Sequence, residues 1–149
     1  MDDAVKITNP ILLKEDEEFD DDSHQALMSW CEETLEKFLE SYFCAKWNDN
    51  TQGIACFFIQ GFVDYAYGYH LAKPFQYDRY IVEEVCLDIF PRKMSTDTKY
   101  FKQVALVLIT FFEWCEKEGL IKDTKDLRST LKKIDQKIYK SAKILPIGA

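Results

Sequence analysis

Asp64 is the most unusual acidic residue of this 149-residue chain, because it lies within an almost continuously apolar stretch from Ile54 to Leu71. A buried carboxylate must find hydrogen-bond donors or raise its pKa, and such groups are common where proteins bind ligands or catalyse reactions. Tyr67 and His70 follow closely and carry groups that hydrogen-bond to a carboxylate. These three residues predict a polar ligand-binding pocket. The alternative is that Asp64 simply reaches solvent or caps a neighbouring helix.

Motifs for other chemistry are missing from the residue pattern. The two histidines, His24 and His70, do not occur in an HExxH or ExxH spacing that would place them beside a carboxylate on one helical face. The five cysteines are odd in number, and no pair has the short spacing of a zinc site. A GxSxG nucleophile motif and a glycine-rich phosphate loop are also absent. We therefore expect no catalytic residues, no metal site and no cofactor.

Two smaller features each allow two interpretations. Glu84 and Asp88 are four residues apart on a predicted helix, so they would share a cation if another helix supplied ligands, and otherwise they form a solvated face. Most cysteines occupy apolar helical positions and are expected to pack as small hydrophobic side chains. Cys44 lies near a predicted helix end, where exposure would make its thiol reactive.

The carboxyl-terminal part of the chain combines a narrow apolar seam with a basic face. The seam alternates intervals of four and three residues and consists of Leu127, Leu131, Ile134 and Ile138. We expect this seam to bind a protein partner or a second copy of the chain. The alternative is that the basic face, including Lys132, Lys133 and Lys137, contacts the phosphates of nucleic acid. We do not favour nucleic acid as a partner, because the formal net charge of −7 repels it at long range.

Charge is distributed unevenly along the chain. Residues 1–22 contain two lysines and nine acids, whereas residues 120–149 contain eight basic and three acidic side chains. The acidic run from Glu15 to Asp22 has too little apolar content to offset the entropy lost on ordering. The sequence therefore predicts an acidic flexible leader over residues 1–22 and a helical domain over residues 23–149. Docking of this leader on the basic carboxyl-terminal helix is a further hypothesis, and it would be sensitive to salt.

The segment from Thr96 to Gly119 predicts one long helix that its neighbours must bury. Thr96 or Asp97 is suited to cap its start, and Gly119 is suited to close its end in the left-handed conformation. Its apolar residues cover too wide an arc of the helix to face water. Four other helices are predicted at residues 23–46, 54–71, 78–90 and from 123 or 124 onwards, with Pro91 ending the third of these.

These elements define the predicted fold class. It is all-α, a compact single-domain bundle of about five helices around a central buried helix. The alternation of Tyr65, Tyr67 and Tyr69 favours a strand instead of a helix in that segment, but a single strand has no evident partner. The apolar run from Ile54 to Val63 is shorter than the roughly 20 residues of a bilayer span, so we expect no membrane association. The amino-terminal residues do not resemble a secretory signal, and a cytoplasmic location is expected.

From Ile81 onward, over about the last 70 residues, five short motifs follow one another. They are Val82-Glu83-Glu84-Val85, Phe90-Pro91-Arg92-Lys93, Phe111-Phe112-Glu113-Trp114 with Glu118-Gly119-Leu120, and Ala142-Lys143. In this order they resemble a helical domain of unknown function from uncharacterised bacterial and archaeal proteins. Some of those proteins also carry a SEC-C type metal-binding segment or a plasmid pRiA4b ORF-3-like region. The resemblance implies an all-α fold and no defined activity, and this chain lacks a cysteine-rich metal segment.

The functional expectation is a non-enzymatic helical protein–protein interaction module. The partner is an unknown protein or a second copy of the chain. The expected surface is the helix that carries Leu127 to Ile138, or aromatic side chains left exposed between Tyr65 and Tyr80. The two alternatives are a nucleic-acid-associated regulator that uses the terminal lysines, and a small-ligand-binding protein or enzyme with a pocket near Asp64.

Overall fold

The computed structural model describes residues 9–144, which form an all-α bundle, so the predicted fold class is confirmed. Its α-helices are α1 (Asp21–Leu39), α2 (Asp49–His70), α3 (Arg79–Glu84), α4 (Phe90–Lys93), α5 (Val104–Lys117) and α6 (Lys125–Ile144). A π-helical turn, Val85–Ile89, joins α3 to α4 without a break in the rod. Short 3-10 helices lie at Pro10–Leu13, Tyr42–Cys44, Pro74–Gln76 and Thr98–Gln103.

Local capping signals determine where α1 and α2 begin. Asp20 accepts a hydrogen bond from the backbone N–H of Ser23 at 3.0 Å, so α1 begins two residues before the predicted Ser23. Asn48 accepts one from the N–H of Thr51 at 2.8 Å at the start of α2. The segment with alternating tyrosines is helical throughout, so the strand alternative is wrong. Helix α2 ends at His70, and Leu71 follows with a φ of 56°.

The predicted central helix is present, although its first part is wound more tightly than expected. Asp97 caps the 3-10 helix Thr98–Gln103, which leads directly into α5, and Gly119 has the expected positive φ of 77°. Phe111 and Phe112 of α5 are almost fully buried among side chains of the surrounding helices. Leu106 is 54% exposed, so the buried arc of α5 is narrower than its composition predicts.

Neighbouring helices cover α5 on several sides. Phe38 of α1 contacts Phe111 with their ring centroids 5.3 Å apart, and Phe62 of α2 contacts Phe112 at 5.6 Å. Helix α6 packs along α5 and also against α3. The core therefore lies where α1, α2 and α6 meet around α5. Within residues 9–144, no helix is both long enough and apolar enough to cross a lipid bilayer.

Pro91 does not end the third predicted helix, and the prediction that it would is wrong. In a regular α-helix its ring would clash with the carbonyl of Leu87 and its missing N–H would leave that carbonyl unpaired. The π-helical turn immediately before it changes this pairing, since the N–H of Phe90 bonds to the carbonyl of Val85, five residues earlier. The chain therefore continues in a helical path as far as Lys93.

Candidate functional site

Asp64, Tyr67 and His70 all lie on α2, but the structure brings only two of them to a common partner. Asp64 and Tyr67 both contact His24 of α1, whereas His70 contacts Glu84 of α3. The carboxylate of Asp64 is 46% exposed and lies 2.7 Å from Nε2 of His24 on α1. In an α-helix each residue turns about 100°, so positions 64 and 70 face directions about 120° apart. Asp64 is therefore partly exposed and pairs with a neighbouring helix, which agrees with the alternative that its carboxylate reaches solvent.

The ring of Tyr67 stacks on the His24 ring, with their centroids 6.1 Å apart, and its hydroxyl and His70 reach further partners. The hydroxyl of Tyr67 is directed inward and donates a hydrogen bond to Oδ2 of Asp16 at 2.6 Å. His70 lies at the end of α2, where its Nε2 is 2.5 Å from Oε1 of Glu84 on α3. The three side chains therefore do not face one common cavity, and a catalytic or small-ligand site near Asp64 stays a prediction.

The contact at Tyr67 belongs to a polar cluster that the sequence did not reveal, and its centre is Lys73. This side chain is fully buried. Its ammonium nitrogen donates to two backbone carbonyls, at 2.6 Å to Ile11 and 2.7 Å to Lys14. It also lies 3.2 Å from the hydroxyl of Ser23 and 3.2 Å from the carboxylate of Asp16. Lys73 therefore ties the segment before α1 to the loop after α2.

Asp16 supplies the negative charge of this cluster, and its side chain is only 5% exposed. Burial raises the pKa of Asp16, but hydrogen bonds from Tyr67 and Ser23 and the bond and charge of Lys73 outweigh it. The result is a pKa of about 2. The pKa of Tyr67 is raised by burial and by its hydrogen bond to Asp16. Asp16 is therefore ionised and Tyr67 neutral near pH 7. We call this cluster of Asp16, Ser23, Tyr67 and Lys73 the lock, because its paired charges and hydrogen bonds hold the segment before α1 on the domain.

The lock shows that residues 9–20, the part of the predicted flexible leader that the structure describes before α1, are held on the domain. Residues 9–20 are packed on the domain, with Leu12 only 2% exposed and the backbone N–H of Asp20 bonded to Tyr67. Their attachment to Lys73 also differs from the predicted docking on the basic helix. The preceding residues of the leader, 1–8, lie outside the described residues. One sequence signal was available, since Lys73 stands between Ala72 and Pro74 in a mainly apolar stretch.

The apolar seam of α6 is part of the core, so the prediction that it forms an interaction surface is wrong. All four of its side chains are at most 4% exposed, namely those of Leu127, Leu131, Ile134 and Ile138. They pack where α6 meets α3 and α5. The face opposite the seam is exposed and includes Lys132, Lys133 and Lys137.

The cysteines do not provide a reactive site. Cys44 is 1% exposed, and burial raises the pKa of its thiol to about 11. Burial likewise raises the pKa of Cys31 to about 12. Thiols with such pKa values stay protonated near pH 7 and are poor nucleophiles. Within residues 9–144, no three His, Cys, Asp or Glu side chains are grouped so that they would hold a metal ion.

An open groove of about 580 Å³ follows the outer side of α3, and we call it the α3 groove. Its polar lining is mainly acidic, and its lining residues are His70, Asp78, Tyr80, Ile81, Glu83, Glu84, Leu87 and Asp88. Asp88 forms a two-point ion pair with Arg92 at 2.9 and 3.1 Å, and this hydrogen bonding lowers its pKa. Tyr80 is 73% exposed. The groove therefore joins several carboxylates to an aromatic ring that faces water.

Exposed aromatic side chains were expected between residues 65 and 80, and the structure places three there. Tyr69 is 49% exposed and Phe75 is 46% exposed, in addition to Tyr80. Large aromatic side chains in water are unusual on a protein surface and often mark contacts with other macromolecules. No family model, curated protein or solved structure matches this chain. The resemblance of the last 70 residues to an uncharacterised helical domain consequently stays a prediction.

Proposed function

We propose that this protein is a non-enzymatic, cytoplasmic protein–protein interaction module that binds its partner through the α3 groove. The observation that carries the proposal is Tyr80, which projects 73% exposed beside an open acidic groove. Tyrosine is among the residues that contribute most to binding energy at protein interfaces, because its ring offers a large contact area at a small entropy cost. A surface of this kind suits a partner with an apolar anchor and basic flanks.

The shape of the groove favours a macromolecule over a small ligand. Sites for small ligands enclose most of the ligand surface and place a few polar groups around it. The α3 groove is open to solvent, and its acids Glu83, Glu84 and Asp88 lie along the helical rod that α3 and the following π-helical turn form. Such an open surface suits a helix or an extended segment of another protein.

The test is affinity capture from the native host with the wild-type protein and two tyrosine variants. Tyr80→Ser removes the ring in the groove. Tyr42→Ser removes a ring that is 90% exposed between α1 and α2, and it serves as the matched control. We expect a partner that is recovered with wild type and Y42S and reduced at least about tenfold with Y80S, which corresponds to a loss of about 1.4 kcal/mol. Equal recovery with all three proteins would contradict the assignment to this groove. Repeated failure to recover any partner, together with a monomeric mass, would contradict the interaction function itself.

A second candidate function rests on the exposed basic face of α6. Lys132, Lys133 and Lys137 are all exposed, as binding to a phosphate backbone requires. The net charge of −7 opposes approach to nucleic acid, and for this reason it is the second candidate. Binding to a labelled DNA or RNA duplex that weakens with salt and is lost when these lysines become glutamates would support it. Binding that survives the charge reversal would exclude it.

A further inference from the structure

Two faces of opposite charge lie on neighbouring helices of this domain. The first is the α3 groove, with Glu83, Glu84 and the exposed ring of Tyr80. The second is the outer face of α6, with Lys132, Lys133 and Lys137 exposed to solvent, which we call the α6 basic face. Helices α3 and α6 pack against each other, so the two charged faces belong to one packed pair of helices.

We infer that the occupant of the α3 groove is the α6 basic face of a second copy of this chain. This inference rests on the proposed function and names its partner. When two copies are related by a twofold axis, each acidic face meets the other copy's basic face, and the same contact is made twice. Such an arrangement is closed, so it gives a dimer and leaves neither charged face free to add further copies.

The chemistry of the two faces is complementary in more than charge. Lysine side chains have long apolar stems that pack on an aromatic ring while the ammonium group reaches a carboxylate. Tyr80 offers such a ring beside Glu83 and Glu84. Within one molecule the same kind of contact already occurs, because the ammonium of Lys102 lies 4.6 Å from the centre of the Tyr139 ring on α6.

The size of the faces indicates a reversible dimer. Helix α6 has 20 residues and is therefore about 30 Å long. The three lysines of the α6 basic face span only residues 132–137, about 8 Å of that length. We therefore expect a contact that is small beside the roughly 1,200 Å² at which the range of specific interfaces begins. Association that relies on exposed charges weakens when salt screens them, and the Debye length falls from about 10 Å at 0.1 M salt to about 3 Å at 1 M.

The first measurement is sedimentation velocity of the wild-type protein over a range of concentrations at low and high salt. We expect a mass twice that of the 17.5 kDa chain at low salt. The dissociation constant should rise at least about tenfold between 0.05 and 0.5 M salt. A monomer at every concentration up to about 1 mM in low salt would overturn the inference. A dimer that does not respond to salt would also overturn it.

The decisive measurement uses two charge-reversed variants, checked for folding by circular dichroism. The first carries E83K and E84K in the α3 groove, and the second carries K132E, K133E and K137E on the α6 basic face. Each variant alone should be monomeric, because its two faces then have the same sign. An equimolar mixture should form a dimer again, since each reversed face finds an opposite face on the other variant. Two misfolded variants would not regain a dimer on mixing, so this result separates loss of the interface from loss of the fold. A mixture that stays monomeric would overturn the inference.

A matched control separates the groove from overall charge. Glu33 and Glu36 are exposed on α1, and E33K with E36K changes the net charge by the same amount as the groove variant. This control should dimerise like wild type, and loss of its dimer would overturn the inference. Failure of the dimer inference can also be distinguished from failure of the proposed interaction function. A monomeric protein that still captures a different partner in a Tyr80-dependent way refutes the second copy and keeps the interaction function.

Discussion

Lys73 carries a positive charge into the interior of the domain, and two backbone carbonyls, a hydroxyl and a carboxylate surround it. Removing an ammonium group from water costs several kcal/mol, so such a residue is tolerated only when its partners are well placed. The sequence analysis named Tyr67 only as a hydrogen-bond partner for Asp64. In the structure the hydroxyl of Tyr67 donates to Asp16 instead, and sequence pattern does not reveal this partner because it lies 51 residues away in the acidic run.

At this residue we predict that Lys73→Met lowers the free energy of unfolding by about 3 kcal/mol, measured by urea denaturation. The substitution keeps the length of the side chain but removes the buried cation that lies 3.2 Å from the carboxylate of Asp16. Lys14→Met is the matched control, because Lys14 also lies near Asp16, at 3.5 Å, but is 55% exposed. The control should change stability by less than about 0.5 kcal/mol.

Two results would contradict this account of the lock. One is a Lys73→Met protein as stable as wild type. The other is a Lys73→Met protein that loses stability while residues 9–20 stay attached to the domain. Proteolysis measures that attachment. A protease that cleaves after glutamate should cut at Glu15, Glu17 or Glu18 faster in the Lys73→Met protein than in the Lys14→Met protein.

At the scale of the elements, several capping signals were predicted correctly, whereas the start of α1 and the effect of Pro91 were not. Asp78 and Asp97 cap the segments that follow them, and Gly119 adopts a positive φ, as predicted. A cap depends only on the two or three residues next to it, so sequence suffices. Pro91 was misjudged, because the π-helical turn that accommodates it involves buried side chains such as Phe90, whose packing partners are remote in sequence.

Substituting two glycines that have open space around them tests how backbone conformation alone affects stability. A Cβ atom added to Gly68 in α2 or to Gly119 would meet nothing within 4 Å, but only Gly119 has a positive φ, of 77°. Gly68→Ala should therefore raise the free energy of unfolding by about 0.5 to 1 kcal/mol through helix propensity. Gly119→Ala should lower it by about 1 kcal/mol through strain.

The sign of the change is the informative result, and denaturant or thermal unfolding of both variants measures it. Gly61→Ala serves as a third comparison in the same helix as Gly68. There an added Cβ would come within 2.6 Å of the terminal methyl of Met94, so its gain should be smaller than that of Gly68→Ala. A Gly119→Ala protein more stable than wild type would refute the left-handed backbone conformation of Gly119 at the end of α5.

At the scale of the whole molecule, the limit of the sequence is clearest in α6. A helix with the seam from Leu127 to Ile138 has the same pattern whether its own domain or a separate partner covers the seam. The structure shows that the domain covers it. What remains for a partner is the exposed surface, and neither Tyr80 nor the α3 groove is distinguished by spacing along the chain. The fold was therefore largely predictable, whereas the candidate site required three-dimensional packing.

The lock at Asp16 also predicts how the whole domain responds to acid. The pKa of Asp16 falls from 3.8 to about 2 on folding, so ionised Asp16 stabilises the fold above about pH 4. This stabilisation is lost as the pH falls through 2. Between these values, unfolding of the wild-type domain should take up about one more proton than unfolding of Asp16→Asn, in denaturation curves measured at several pH values.

The exposed acid Glu17 provides the control for this pH series. Glu17→Gln removes one carboxylate from the same segment and should keep the pH dependence of wild type. Parallel curves for wild type and Asp16→Asn between pH 2 and 4 would show that Asp16 is not held in its ionised form.

The bond between Lys73 and the carbonyl oxygens of Ile11 and Lys14 also sets an order of events during biosynthesis. A ribosome completes residues 9–20 first and must add about fifty more before Lys73 exists. At roughly 5 to 20 residues per second, the nascent segment waits for several seconds without its anchor. During that interval the charged acids of the segment favour contact with water, so its ordered packing depends on a residue that is synthesised later.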